Sequence, residues 1–105
     1  MQFKENQQDY IKQLCIKHYV KSLYLFGSYA KENQTENSDI DFVVLFDNLN
    51  MGGFDYFDNY MSLKESLEDC LNKVVELIEG QAIKNPVFKE AIDKEKILIY
   101  ERQVA

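Results

Sequence analysis

Residues 25–46 read LFGSYAKENQTENSDIDFVVLF, and the reading of this stretch decides the fold. A hydrophobic run stops at Gly27-Ser28, passes through polar sequence, and resumes as IDFVVLF with Asp39 and Asp41 at its start. Aspartate is a poor strand former and is rarely left buried without a partner. Side chains alternate along a strand, so positions 39 and 41 share a face. Two carboxylates side by side raise each other's proton affinity unless a cation sits between them. Such an oxygen-only pair suits Mg²⁺, which takes one or two carboxylates and fills its shell with water and phosphate oxygens. The Gly27-Ser28 break supplies the complementary part. Glycine lets backbone approach a ligand closely, and the N–H groups opening a helix attract phosphate. Ser28 adds a hydroxyl, and Lys31 adds a cation within reach of the same anion. A plainer reading stands beside this one, with Gly-Ser as an ordinary turn and Ser38-Asp39 as a turn entry bonding local amides.

The flanking sequence continues the alternation of helix and strand. Tyr10, Ile11, Leu14, Cys15 and His18 recur at helical spacing, predicting an amphipathic helix over 7–19. SLYLF, 22–26, reads as a strand, and Ser28 is a good N-cap for a short helix after it. The near-continuous hydrophobicity of residues 40–46 predicts a strand buried on both faces. DNLNMGGFDYFD, 47–58, reads as an exposed loop, whose aromatics suggest either a segment beside the site that touches a partner or a base, or side chains folded back onto the core. Tyr60, Leu63, Leu67, Cys70 and Leu71 predict a helix over 59–72; KVVELI, 73–78, reads as an internal strand. Asn85-Pro86 opens a further helix, and KILIYE, 96–101, is the last strand. The resulting order predicts an α/β layer, with helices packed on a small sheet.

Composition narrows the function classes. The chain has 105 residues, 46% of them hydrophobic and 29% charged, with one proline and four glycines. That suits one globular domain spanning residues 1–105. A net charge of −6 argues against direct nucleic-acid binding, which needs a phosphate-neutralising surface. It leaves room for a nucleotide held through a metal, because the metal supplies the positive charge. No apolar run approaches the ~20 residues of a membrane span, and the polar N-terminus MQFKENQQDYIKQ is no secretory signal. A cytoplasmic protein with no membrane partner is the expectation. Cys15 and Cys70 lack CxxC spacing and read as reduced, buried small hydrophobes. His18 reads as a helix-end residue rather than a ligand.

The combination of strand, Gly27-Ser28, ten residues, Asp39-x-Asp41 and strand resembles the signature of the nucleotidyltransferase superfamily that includes DNA polymerase beta. The size and the wording FGSYAKENQTENSDIDFVV are similar to its smallest branch, the minimal nucleotidyltransferases. These are often encoded beside HEPN-domain proteins as toxin–antitoxin pairs. The resemblance runs from the first helix to KILIYE. It implies a nucleotidyltransferase fold of the α/β (α+β) class, with a small mixed sheet. By the same resemblance Gly27 and Ser28 form the triphosphate-binding turn, Lys31 falls at a commonly basic position, and Asp39 and Asp41 are metal ligands. A third acidic residue usually lies on the next strand, and KVVELI puts Glu76 there as catalytic group and metal ligand. This is a departure, since glutamate is one methylene longer than the usual aspartate. Glu32 stands where glycine is common, read as a loop variation of little consequence.

The implied reaction is adenylyl transfer from ATP, with one or two Mg²⁺ ions, to a hydroxyl on a HEPN-type partner, making the chain an antitoxin. Larger relatives carry a helical domain for the acceptor, and 105 residues leave no room for one. Two alternatives remain: a catalytically weak antitoxin that neutralises its partner by binding alone, and a transferase for a small aminoglycoside-like molecule. The intact Gly27, Ser28, Asp39 and Asp41 favour activity over binding alone. The oligomeric state, a homo-oligomer included, stays open.

Overall fold

The computed structural model describes residues 3–47 and 55–102. Helix α1, Glu5–Lys17, leads into strand β1, Val20–Phe26, and β2, Ile40–Phe46. Helix α2, Tyr56–Leu71, precedes β3, Val75–Glu79; a 3₁₀ turn at Gly80–Ala82 leads to α3, Pro86–Glu95, and β4, Ile97–Glu101, ends the order. The four strands form one mixed sheet in the order β3-β2-β1-β4. Strand β1 is antiparallel to both β2 and β4, whereas β2 and β3 run parallel. This is the small mixed sheet with helices packed on it that the sequence predicts.

Period-two alternation divides the sheet into two unlike faces. Leu23, Leu25, Ile40, Phe42, Val44, Val75 and Leu77 are buried on one of them. There they meet Ile11 and Leu14 of α1 and Leu63, Leu67 and Leu71 of α2 in a single core. The opposite face carries Tyr24, Phe26, Asp41, Val43, Leu45, Glu76 and Ile78. Helix α3 covers part of it, burying Ile92 and setting Phe88 edge-on against Phe26 with ring centroids 6.4 Å apart. Strand β2 is therefore sandwiched, as its unbroken hydrophobicity predicted, and even Val43 on the second face is buried.

Three expectations are corrected. The short helix after Ser28 is a single helical turn, closed almost as soon as it starts. Lys31 N–H bonds Gly27 C=O at 3.1 Å, then Asn33 N–H returns to Ser28 C=O at 3.0 Å and Glu32 N–H to Tyr29 C=O at 3.4 Å. That double return is a Schellman closure, whose pivot needs a positive φ and prefers glycine. Glu32 is the pivot, with φ 59°, so its replacement of glycine costs backbone strain and is not the neutral variation the sequence suggested. Strand β3 begins at Val75 rather than Lys73, because Asn72 ends α2 at φ 53° and the Lys73 ammonium bonds Glu36 C=O at 2.9 Å. It also lies at the sheet edge rather than inside. Its apolar faces reflect cover from α2 and its one β2 neighbour, and Val74 just before it is 59% exposed. Third, the segment read as a loop to residue 58 becomes helix at Tyr56, whose ring packs edge-on against Phe46 at 5.5 Å. Phe54 and the rest of 48–54 lie outside the described residues. Phe46 is at the end of β2 away from Asp41, so Tyr56 does not stand beside the carboxylates.

His18 ends α1 as expected of a structural residue, but fully inside. Its Nδ1 lies 2.7 Å from Leu14 C=O and its Nε2 3.0 Å from Ser62 Oγ, which ties α1 to α2. Asn59 of α2 donates to His18 C=O at 2.7 Å. Cys15 and Cys70 are free thiols, and burial pushes that of Cys15 up to about 12, leaving it inert.

Candidate active site

One row across the second face of the sheet brings the predicted residues together. Phe26 on β1 is paired with Asp41 on β2, and Asp41 is paired in register with Glu76 on β3. Register partners share a face, so Glu76 points to the same side as Asp41 while Val75 and Leu77 turn inward. Glu79 lies three positions on, beside the Tyr56 hydroxyl at the far end of the strand. Strand geometry thus takes Glu79 away from the row. Asp39 is exposed and immediately precedes β2.

Gly27 ends β1 directly over this row. Its φ is 75°, a conformation that side chains resist, and a methyl group there would overlap the Asp41 carboxylate, with Cγ only 3.3 Å away. The glycine is therefore required twice, by the backbone turn and by the carboxylate it makes room for. The single helical turn that follows leaves its first N–H groups without intrahelical partners. Those amides and the Ser28 hydroxyl make an anion-attracting turn beside the carboxylates. Lys31 stands on the same turn, but its ammonium is paired with Glu95 at the end of α3, at 3.2 Å.

The loop between Gly27 and Asp39 is anchored at its far end. Ser38 Oγ accepts from Thr35 N–H at 2.9 Å, and Ile40 N–H bonds Val74 C=O at 3.0 Å to begin the parallel pair. The two readings of Ser38-Asp39 thus divide between the residues. Ser38 closes the turn, while among the described residues Asp39 accepts no such amide and faces solvent near Asp41.

Electrostatics set Asp41 apart within the row. Burial is the main cause that pushes the Asp41 carboxyl from 3.8 up to about 6; the charge of Glu76, a hydrogen bond to Glu76, and the charge of Asp39 follow in that order. A carboxyl group that keeps its proton through burial, with neighbouring carboxylates adding to the effect, can exchange that proton for a cation. Among the described residues no three His, Cys, Asp or Glu groups form a ready-made metal cage. Asp39, Asp41 and Glu76 fit an ion that completes its shell with water and phosphate, the ordinary habit of Mg²⁺. A recess of about 580 Å³ beside Lys12, Ile16 and Arg102 lies between α1 and β4 and holds none of these groups.

Comparison with known proteins agrees with this geometry. The family described as polymerase beta, nucleotidyltransferase, matches residues 9–105. A Methanocaldococcus jannaschii chain that carries the name protein adenylyltransferase is 42% identical over 98 residues, covering 93% of this chain and 95% of that one. A solved structure described as a minimal nucleotidyltransferase superposes with a TM-score of 0.72 at 25% identity, over 88% of each chain. A toxin–antitoxin structure with AMP-PNP gives a TM-score of 0.70 at 24% identity, over 91% of this chain and 74% of the other. The same fold occurs in a Shewanella oneidensis complex of a tri-AMPylated HEPN toxin with its MNT antitoxin, at a TM-score of 0.64 and 20% identity, over 95% of this chain and 74% of that one.

Proposed function

The chain belongs to the polymerase beta nucleotidyltransferase family, and from that premise we propose that it transfers the adenylyl group of Mg·ATP to a hydroxyl on a HEPN-type partner, as the antitoxin of a toxin–antitoxin pair. Nucleotidyl transfer is the reaction class of the family. The metal, the acceptor and the residue roles are the proposal. The observation that carries it is the row Gly27, Asp41 and Glu76, in which a glycine gives space to a carboxylate already crowded by a second one.

In this reading the turn at Gly27 and Ser28 grips the β- and γ-phosphates through backbone N–H groups and the Ser28 hydroxyl. Lys31 leaves Glu95 for the triphosphate. Asp39, Asp41 and Glu76 would hold Mg²⁺, which when bound neutralises charge on the α-phosphate and the leaving pyrophosphate. Glu76 also receives the proton of the attacking hydroxyl, as its oxygen forms the new bond to the α-phosphorus and pyrophosphate departs. The extra methylene of Glu76 relative to aspartate is accommodated at a sheet edge, where among the described residues β3 has no further strand beside it. The test is incorporation of label from α-labelled ATP into a co-expressed HEPN partner. Glu76→Gln is expected to fold, to bind Mg·ATP, and to transfer about 10²-fold more slowly or worse. Transfer by this variant at the wild-type rate would remove Glu76 from the chemistry. Toxin neutralisation without any incorporation would favour the binding-only antitoxin.

A further inference from the structure

The face that carries the acidic row continues into a cavity to which the chemistry above gives no role. One row further along the strands, Tyr24 is paired with Val43, and the next outward position on β2 is Leu45. Helix α3 passes over these residues without closing on them. A space of about 230 Å³ remains, walled by Tyr24, Val43, Leu45, Ile83 and Ile92. These five aliphatic and aromatic side chains make up half of the lining residues. Three charged side chains, Lys89 and Asp93 of α3 and Lys96 just after it, stand around it. Lys96 bonds Asp93 at 3.0 Å and lies 4.3 Å from the centre of the Tyr24 ring. Gly80 belongs to the same wall, and a side chain there would run into Leu45 at 2.7 Å and Val43 at 3.1 Å. The glycine that follows β3 thus makes room for two of the side chains that wall the space.

We propose that this cavity receives the purine base of the nucleotide whose phosphates lie at Gly27 and Ser28, an inference that rests on the reading of the acidic row given above. Three features favour that occupant. Val43 follows Asp41 by two residues on the same face, roughly 7 Å along β2, which leaves a ribose-length gap between the reacting phosphate and the cavity. Whole drug-sized ligands need pockets of about 300 Å³ or more, so the volume suits one flat heterocycle rather than an entire nucleotide. The lining is apolar with a charged rim, the combination that buries a base and leaves its polar edge to ionic and hydrogen-bonding groups. Gln81 is not a reader of that edge, because its amide is spent on Phe46 N–H and C=O.

The test compares Mg·ATP with Mg·ribose 5-triphosphate, which lacks the base, by titration calorimetry on the whole chain. Wild type is expected to bind Mg·ATP about tenfold or more tightly than the base-less analogue. Val43→Phe, which fills the cavity from its floor, is expected to bring Mg·ATP down to the affinity of the analogue and leave the analogue unchanged. Ile83→Trp repeats the test from the opposite wall, and unchanged affinity for the analogue certifies that each variant is folded. Wild-type affinity for Mg·ATP in both filled variants overturns the base pocket, as does equal wild-type affinity for the two ligands. If wild type binds neither ligand, the active-site reading itself falls, an outcome distinct from the failure of the pocket alone.

Discussion

Replacing Asp41 with asparagine should make the metal-free protein more stable at neutral pH while abolishing the proposed cation site. In the folded chain the Asp41 carboxyl holds its proton up to about 6, against 3.8 when free of the fold. The folded state therefore binds more protons than the unfolded state between those values, and stability falls as pH rises from about 4 to about 6. Below the lower value the proton is bound in both states and the penalty is absent. Above the upper value the penalty is complete. A shift of about two units corresponds to roughly 3 kcal/mol at most. Asp41 is only half-buried, so solvent screening reduces this to about 1–2 kcal/mol. Asparagine removes the charge and keeps a donor for Glu76. Urea melts in EDTA at pH 7.5 should show Asp41→Asn more stable by that amount, which is about 4–8 °C in Tm per kcal/mol for a domain of this size. At pH 4 the difference should shrink towards zero. Added Mg²⁺ or Mn²⁺ should stabilise wild type and leave the variant unmoved. An Asp41→Asn protein that is no more stable than wild type at pH 7.5, or whose advantage does not depend on pH, would refute the crowding argument.

Gly27→Ala should cost about 1–3 kcal/mol in denaturant melts, from the positive φ and the overlap with Asp41, and should lose Mg·ATP binding by calorimetry. Wild-type binding in that variant would show that the turn has slack to give. His18→Ala should lower stability by roughly 2–3 kcal/mol, since it deletes a bridge between α1 and α2 and leaves Ser62 Oγ without its partner; transfer per folded molecule should be unchanged. Glu32→Gly should raise stability by about 1 kcal/mol, because glycine adopts the pivot conformation without a Cβ clash. A loss of stability there would mean that the Glu32 side chain contributes more than its backbone costs.

The sequence by itself determined the parts of this protein governed by local periodicity. Near-continuous hydrophobicity in IDFVVLF marked a sandwiched strand, the spacing of Asp39 and Asp41 predicted a shared face, and Gly27-Ser28 announced a turn. Glu76 was found through family resemblance together with strand parity, because a lone glutamate among valines and leucines carries no local signal of its partner. The tertiary structure decided what depends on residues distant in the chain. It put Glu76 in register with Asp41 on a parallel edge strand, a pairing that the intervening helix alone does not specify. It tied Lys31 to Glu95, buried His18 between two helices, and assigned Glu32 a left-handed pivot that follows from hydrogen bonds rather than from residue type. The space beneath α3 was also invisible in the sequence. A cavity is the difference between side-chain volumes contributed by β1, β2, the Gly80 turn and α3, and that difference exists only once the four are packed together.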